Sequence, residues 1–153
     1  MPPTAREVAG KLGLGFEQSR LISDPSYNAR LGGEYLRQLY SDFGNSPVQI
    51  AAAYNAGPSR PIRWMQERGD PRLGQVDVID WIEEIPFSET RNYVMRVTEA
   101  LPIYRARLSG QPQTLAFTKL LKGNFVEPPA PPKPAAPASS LRPQLRPVFP
   151  ATE

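Results

Sequence analysis

Between Asn28 and Gly44 the apolar side chains fall at every fourth position, Leu31, Tyr35, Leu39 and Phe43, with Leu36 widening the stripe. That period predicts an amphipathic helix with one face toward a core, capped by Asn28 and ended by Gly44. The period returns in Tyr93, Val97, Leu101, Tyr104 and Leu108. A second long helix is predicted there, capped by Ser88 and kinked at Pro102, which lacks a backbone donor. Between the two, Ser46-Pro47 opens a segment from Val48 to Tyr54 that is apolar at almost every position. Such a helix is expected to be enclosed on all sides, with Asn55-Ala56-Gly57-Pro58 as its stop.

Shorter elements flank these helices. Thr4 and Glu7 have the spacing of a capping box for an opening helix that stops at Gly13. Asp24-Pro25 is a turn or helix-start signal. A small helix is predicted from Ser59 to about Glu67 with Trp64 inward, then a turn-rich stretch from Gly69 to Val76. Asp77 is placed to cap a further short helix through Trp81 and Ile82, ended by Pro86. Gly32 and Gly33 interrupt the first long helix at roughly 1 kcal/mol each relative to alanine. The expectation is that a neighbouring helix backbone packs closely there.

Beyond Gly110 the pattern changes. Leu115, Phe117, Leu120 and Leu121 suit one docking element within 109–124, ended by Gly123. Nine prolines between Pro128 and Pro150, separated mainly by alanine and serine, predict that 125–153 is an extended, disordered tail. Residues 1–108 then form the folded domain, and a chain of 153 residues with 19 prolines fits one modest core plus that tail.

Composition removes whole classes of chemistry. The chain has no histidine and no cysteine, so imidazole catalysis, thiol nucleophiles, disulfides and the usual zinc sites are excluded, and no metal or cofactor is expected. The net charge of +3 is scattered and forms no basic stripe with stacking aromatics, so no nucleic-acid partner is expected. No apolar run approaches membrane-spanning length. The first fifteen residues lack the basic start and apolar stretch of a secretory signal. Nothing in the pattern sets an oligomeric state.

Five blocks now gain meaning from their order: Met-Pro-Pro-Thr-Ala at the start, Asn28 to Leu36, Ala-Ala-Tyr-Asn-Ala-Gly-Pro ending at Pro58, Trp64, and Glu83 to Val97. Together they resemble the catalytic domain of soluble lytic transglycosylases from Met1 to about Arg107. The resemblance implies a mainly α, lysozyme-like domain that acts on peptidoglycan glycan strands in the periplasm or cell envelope. It implies nonhydrolytic cleavage between N-acetylmuramic acid and N-acetylglucosamine, giving a 1,6-anhydro product. One glutamate serves as acid and then base because the substrate supplies its own hydroxyl nucleophile.

In that family the glutamate belongs to a Glu-Ser pair before Gly-Leu-Met-Gln, which runs into Met-Pro-x-Thr-Ala. Here the last piece falls at residues 1–5, so the catalytic segment is expected upstream of residue 1. The domain is accordingly expected to be N-terminally truncated, inactive, and marginal in stability, with the apolar faces of Ile50, Tyr54 and Val97 uncovered. Glu7, Glu17, Glu34 and Glu67 lack the sequence setting of a replacement, so no catalytic residue is assigned.

Four substrate-binding candidates follow from the matched blocks: Tyr54, Asn55, Glu89 and Tyr93. Each has a plainer reading: Tyr54 as a core tyrosine with a satisfied hydroxyl, Asn55 as a helix cap, Glu89 as a first-turn acid facing the helix dipole, and Tyr93 as core. Arg91, Trp64 and Trp81 are assigned to structure, and Pro86-Phe87 to a rigid turn. Two other readings stand beside the enzyme: a noncatalytic peptidoglycan-binding domain, and a helical module whose proline-rich tail docks to a partner.

Overall fold

The structure, a computed structural model, describes residues 2–111 and 116–123. Eight α-helices follow one another: α1 (Pro2–Lys11), α2 (Arg20–Ser23), α3 (Pro25–Phe43), α4 (Pro47–Ala56), α5 (Ser59–Arg68), α6 (Val78–Glu83), α7 (Ser88–Ser109) and α8 (Phe117–Lys122). A 3-10 turn at Pro71–Leu73 joins α5 to α6, and no strand occurs among the described residues. The proposed tail, 125–153, and Leu115 lie outside the described residues.

α4 is the hub, packed against α3, α5, α7 and α8. Its small side chains explain this. Ala51, Ala52 and Ala53 are all buried and allow neighbouring helices close to its axis. Around them Val48, Trp64, Trp81, Ile85, Val94 and Leu121 form the main core. A second cluster, Val8, Ala9, Tyr27 and Leu31, holds α1 against α3. The Tyr27 hydroxyl donates to the Gly15 carbonyl at 3.0 Å, which fixes the loop between them.

α8 completes the far side of the hub. The Ser46 hydroxyl, at the start of α4, lies 3.3 Å from Gln49 Oε1 and 3.4 Å from the Leu121 carbonyl. Gly123 then passes so close to Asn45 that a Cβ there would collide with the Asn45 carbonyl. Only glycine fits this crossing, and its φ of +63° suits the same residue.

Several local expectations give way to tertiary structure. Asp24, not Asn28, caps α3, its carboxylate accepting from the Tyr27 amide at 2.9 Å, with Pro25 at the first helical position. Asn28 lies inside the helix and donates to the Leu21 carbonyl at 2.8 Å. Thr4 lies within α1, and Glu7 pairs with Lys11 at 2.8 Å instead of closing a capping box. Ser88 is the first helical residue of α7, which Phe87 precedes without a side-chain cap. Asn55 belongs to the last turn of α4, and Gly57 is its stop.

The larger correction concerns α7. Its inward residues are Thr90, Val94 and Thr98, while Val97, Tyr104 and Leu108 are 38%, 63% and 87% exposed. The threonines are tolerated inside because their hydroxyls are satisfied: Thr98 donates to the Val94 carbonyl at 2.8 Å, within its own helix. Leu36 on α3 is likewise 45% exposed rather than part of the core stripe. Gly32 and Gly33 also differ from expectation, since nothing lies within 4 Å of a Cβ built at either.

Candidate functional site

The site grows from the last turn of α4. There the Tyr54 ring lies 5.6 Å from Tyr35 of α3, tilted by 46°, and 6.3 Å from Tyr93 of α7, nearly parallel at 5°. Three helices thus deliver one row of phenol rings. Tyr54 is half-buried, and its hydroxyl makes no hydrogen bond among the described residues. The reading of a core tyrosine with an internally satisfied hydroxyl does not describe it.

Two hollows meet at this ring. The narrower, about 170 Å³, is lined by Thr4, Ala5 and Val8 of α1, Leu21 of α2, and Asn28, Leu31, Gly32 and Tyr35 of α3, with Tyr54. Its walls combine apolar side chains with hydroxyl and amide groups, a mixture suited to a ligand with both methyl and polar parts. The wider groove, about 480 Å³, runs between α3, α4 and α7 and is lined by Leu36, Tyr40, Ile50, Tyr54, Tyr93, Val97 and Leu101, with Asn45, Pro47, Ala51 and Arg105. The exposed stripe of α7 forms one wall.

Burial pushes the Tyr35 and Tyr93 phenols above the ordinary tyrosine range, and nearby Tyr54 acts in the same direction. Both therefore remain protonated donors through the physiological range.

Asn55 is fixed from the other side. Its Oδ1 accepts from the Thr90 hydroxyl at 2.7 Å, joining the end of α4 to the first turn of α7. Thr90 is only 3% exposed, so its partner is set by packing. Glu89 precedes it, exposed, in the helix turn where a carboxylate is favoured by the dipole. It lines neither hollow. Arg91 points the other way, donating to the carbonyls of Glu83 and Ile85 at 3.1 and 3.3 Å and fastening the α6–α7 turn.

Of the four candidates, then, Tyr54 and Tyr93 come together directly. Asn55 is one helical position away, and Glu89 lies exposed in the first turn of α7, outside both hollows. Sequence reasoning placed Tyr35 in the core stripe and passed over Thr90; the four-residue spacing gave no reason to separate a cleft tyrosine from its buried neighbours.

Among the described residues, no carboxylate lines either hollow. Glu7 and Glu34 each adjoin a lining residue in sequence, but hydrogen bonds from Arg37 and then Gln38 hold the Glu34 pKa down at about 2. Glu34 is an anion throughout the physiological range and has no proton to give. Glu7 is paired with Lys11, Glu17 accepts from Ser19 at 2.6 Å, and Glu67 pairs with Arg63 within α5.

Comparison with known proteins covers most of the chain. The profile of the family described as Transglycosylase SLT domain matches residues 1–73. The chain is 34% identical over 120 residues to the soluble lytic murein transglycosylase of Escherichia coli (strain K12), covering 78% of this chain and 18% of that protein. It is 39% identical over 116 residues to the protein of the same name from Salmonella typhimurium, covering 75% and 17%.

Among solved structures, the 70 kDa soluble lytic transglycosylase of E. coli superposes with a TM-score of 0.66 at 33% identity, over 82% of this chain and 20% of that one. The lytic transglycosylase Slt of Pseudomonas aeruginosa, solved as an inactive glutamate-to-glutamine mutant, gives 0.60 at 39% identity, over 74% and 17%. This chain thus spans less than a fifth of the curated relatives' length, 18% and 17% for the two named. The fold is mainly α and lysozyme-like, and the chain carries a domain of the transglycosylase SLT family.

Proposed function

We propose that the described helices form the glycan-binding wall of a peptidoglycan lytic transglycosylase, and that the chain by itself binds glycan strands without cutting them. The reaction belongs to the whole enzyme. A glutamic acid protonates the glycosidic oxygen between N-acetylmuramic acid and N-acetylglucosamine; its carboxylate then takes the proton of the muramyl 6-hydroxyl, whose oxygen bonds to C1 and closes the 1,6-anhydro ring. No water is consumed. The acid requires an apolar setting that raises its pKa.

The observation that carries this reading is the phenol row at Tyr54, open to a cleft and without a carboxylate among its lining residues. Tyr54 and Tyr93 offer neutral donors to sugar oxygens or to the catalytic carboxylate without competing for its proton. Asn55, oriented by Thr90, presents its amide hydrogens from the end of α4. Glu89 contributes an exposed acceptor in the first turn of α7, one residue before Thr90. The wider apolar groove is the seat of the helix that delivers the glutamate: α7 contributes Tyr93, Val97, Leu101 and Arg105 at four-residue intervals, a ridge about 18 Å long that suits a helix of three turns.

The relatives are named murein transglycosylases, so the substrate proposed here is peptidoglycan and the place of action is the cell envelope. No described helix is long and apolar enough to cross a membrane. Retention on insoluble peptidoglycan tests the reading. The chain should co-sediment, and Tyr54→Ala should release it; a chain that stays in the supernatant at every concentration contradicts the proposal.

A further inference from the structure

We infer that Gly32 is a specificity-determining position of the narrow cleft, its missing side chain leaving room for a glycan ring beside Tyr35 and Tyr54. The inference rests on the glycan-binding reading above. Glycine inside a helix is unfavourable, because it gives up more backbone freedom than any other residue and adds no packing. The usual compensation is a close neighbour. Here there is none: a Cβ at Gly32 meets nothing within 4 Å.

What the position does have is the cleft. Gly32 lines the hollow of about 170 Å³ together with Tyr54, Tyr35, Asn28 and Thr4. A side chain there would project into space that is otherwise empty and would consume part of a small volume. The packing of the domain does not require glycine, while the emptiness of the cleft does.

Gly33 supplies the internal control. It too lies in α3 with nothing within 4 Å of a Cβ, but it is exposed and lines neither hollow. Substitution at either site should help the helix, and only substitution at Gly32 should harm the ligand. A purely structural role would not separate the two.

The experiment compares Gly32→Ala, Gly32→Leu, Gly33→Ala and Gly33→Leu in the full chain, by calorimetric titration with a soluble N-acetylglucosamine hexamer and by thermal melting. Both alanine variants should melt at or above the parent temperature. Gly32→Leu should weaken the hexamer roughly tenfold or more, as expected when a close-fitting space is overfilled. Gly32→Ala, which cannot disturb the fold, should weaken it measurably, and the Gly33 variants should bind like the parent. Equal affinity for parent and both Gly32 variants overturns this inference alone. A parent chain that does not bind the hexamer overturns it together with the reading on which it rests.

Discussion

Thr90 donates its hydroxyl hydrogen to Asn55 Oδ1 at 2.7 Å, and this single bond spans 35 positions of sequence to join the end of α4 to the start of α7. It orients the amide that is proposed to meet the ligand, and it does so from a buried position. Thr90→Val keeps the shape and removes the donor, leaving the Asn55 oxygen without its partner. The expected cost is about 1–2 kcal/mol. Urea unfolding should show a lower midpoint with an unchanged slope, and an unchanged midpoint would mean that the bond is not held in solution.

The rotation of α7 makes a paired prediction. Val94 is fully buried and Val97 is 38% exposed, although the apolar period includes Val97 and omits Val94. Val94→Ala should cost about 2 kcal/mol, from lost burial and an unfilled cavity. Val97→Ala should stay within about 0.5 kcal/mol. Comparable losses at both positions in chemical denaturation would place the inner face of the helix where the sequence pattern puts it.

The two tryptophans should also differ. Trp64 and Trp81 meet edge to face at 6.2 Å in the main core, and the Trp81 indole nitrogen is buried without a hydrogen-bond partner among the described residues. Trp81→Phe therefore loses apolar area but also removes an orphaned donor, effects of similar size and opposite sign, so the net change should be within about 1 kcal/mol. Trp64→Ala removes packing together with the Arg68 guanidinium contact on the ring, 5.8 Å from its centroid, and should cost about 3–5 kcal/mol. Thermal melts of the two variants distinguish these outcomes directly.

Stability should fall at both ends of the pH scale, for different groups. Arg37 and Gln38 depress Glu34 from its ordinary 4.5 to about 2, so its contribution is present above pH 4.5 and fades as pH falls toward 2. The Tyr35 and Tyr93 phenols are shifted the other way, so theirs is present below the ordinary value of 10.0 and is lost as pH rises beyond it. In melts across pH, Glu34→Gln should flatten the acid limb and Tyr93→Phe the alkaline limb. Limbs parallel to the parent in both variants would contradict these assignments.

Much of the fold was legible because local signals and tertiary packing agree. Asp77 does cap α6, its carboxylate accepting from the Ile79 amide at 2.8 Å, and Trp64 does point inward at 1% exposure. The long helices lie where their periods put them. What was misread involves choices that only neighbours decide. Asp24 and Asn28 are both capable caps, and the burial of Tyr27 one turn in favours the earlier one. Threonine on an inner face is invisible to a hydropathy pattern, so α7 was read one position off.

The candidate site was legible only as far as its matched blocks reach. The matched blocks named Tyr54, Asn55, Glu89 and Tyr93, but a core and a cleft lined by tyrosines have one period. Tyr35 therefore passed for core, and the gap at Gly32 passed for a helix contact. Both are facts of empty space, which a sequence does not record.

The direct test of the account is product analysis. Purified chain, free of host enzymes, is incubated with isolated peptidoglycan, and the soluble fraction is examined by mass spectrometry for 1,6-anhydro muropeptides. The account predicts none from material that nevertheless binds the sacculus; their appearance would mean that a glutamate within these residues performs the proton transfers assigned to one outside them.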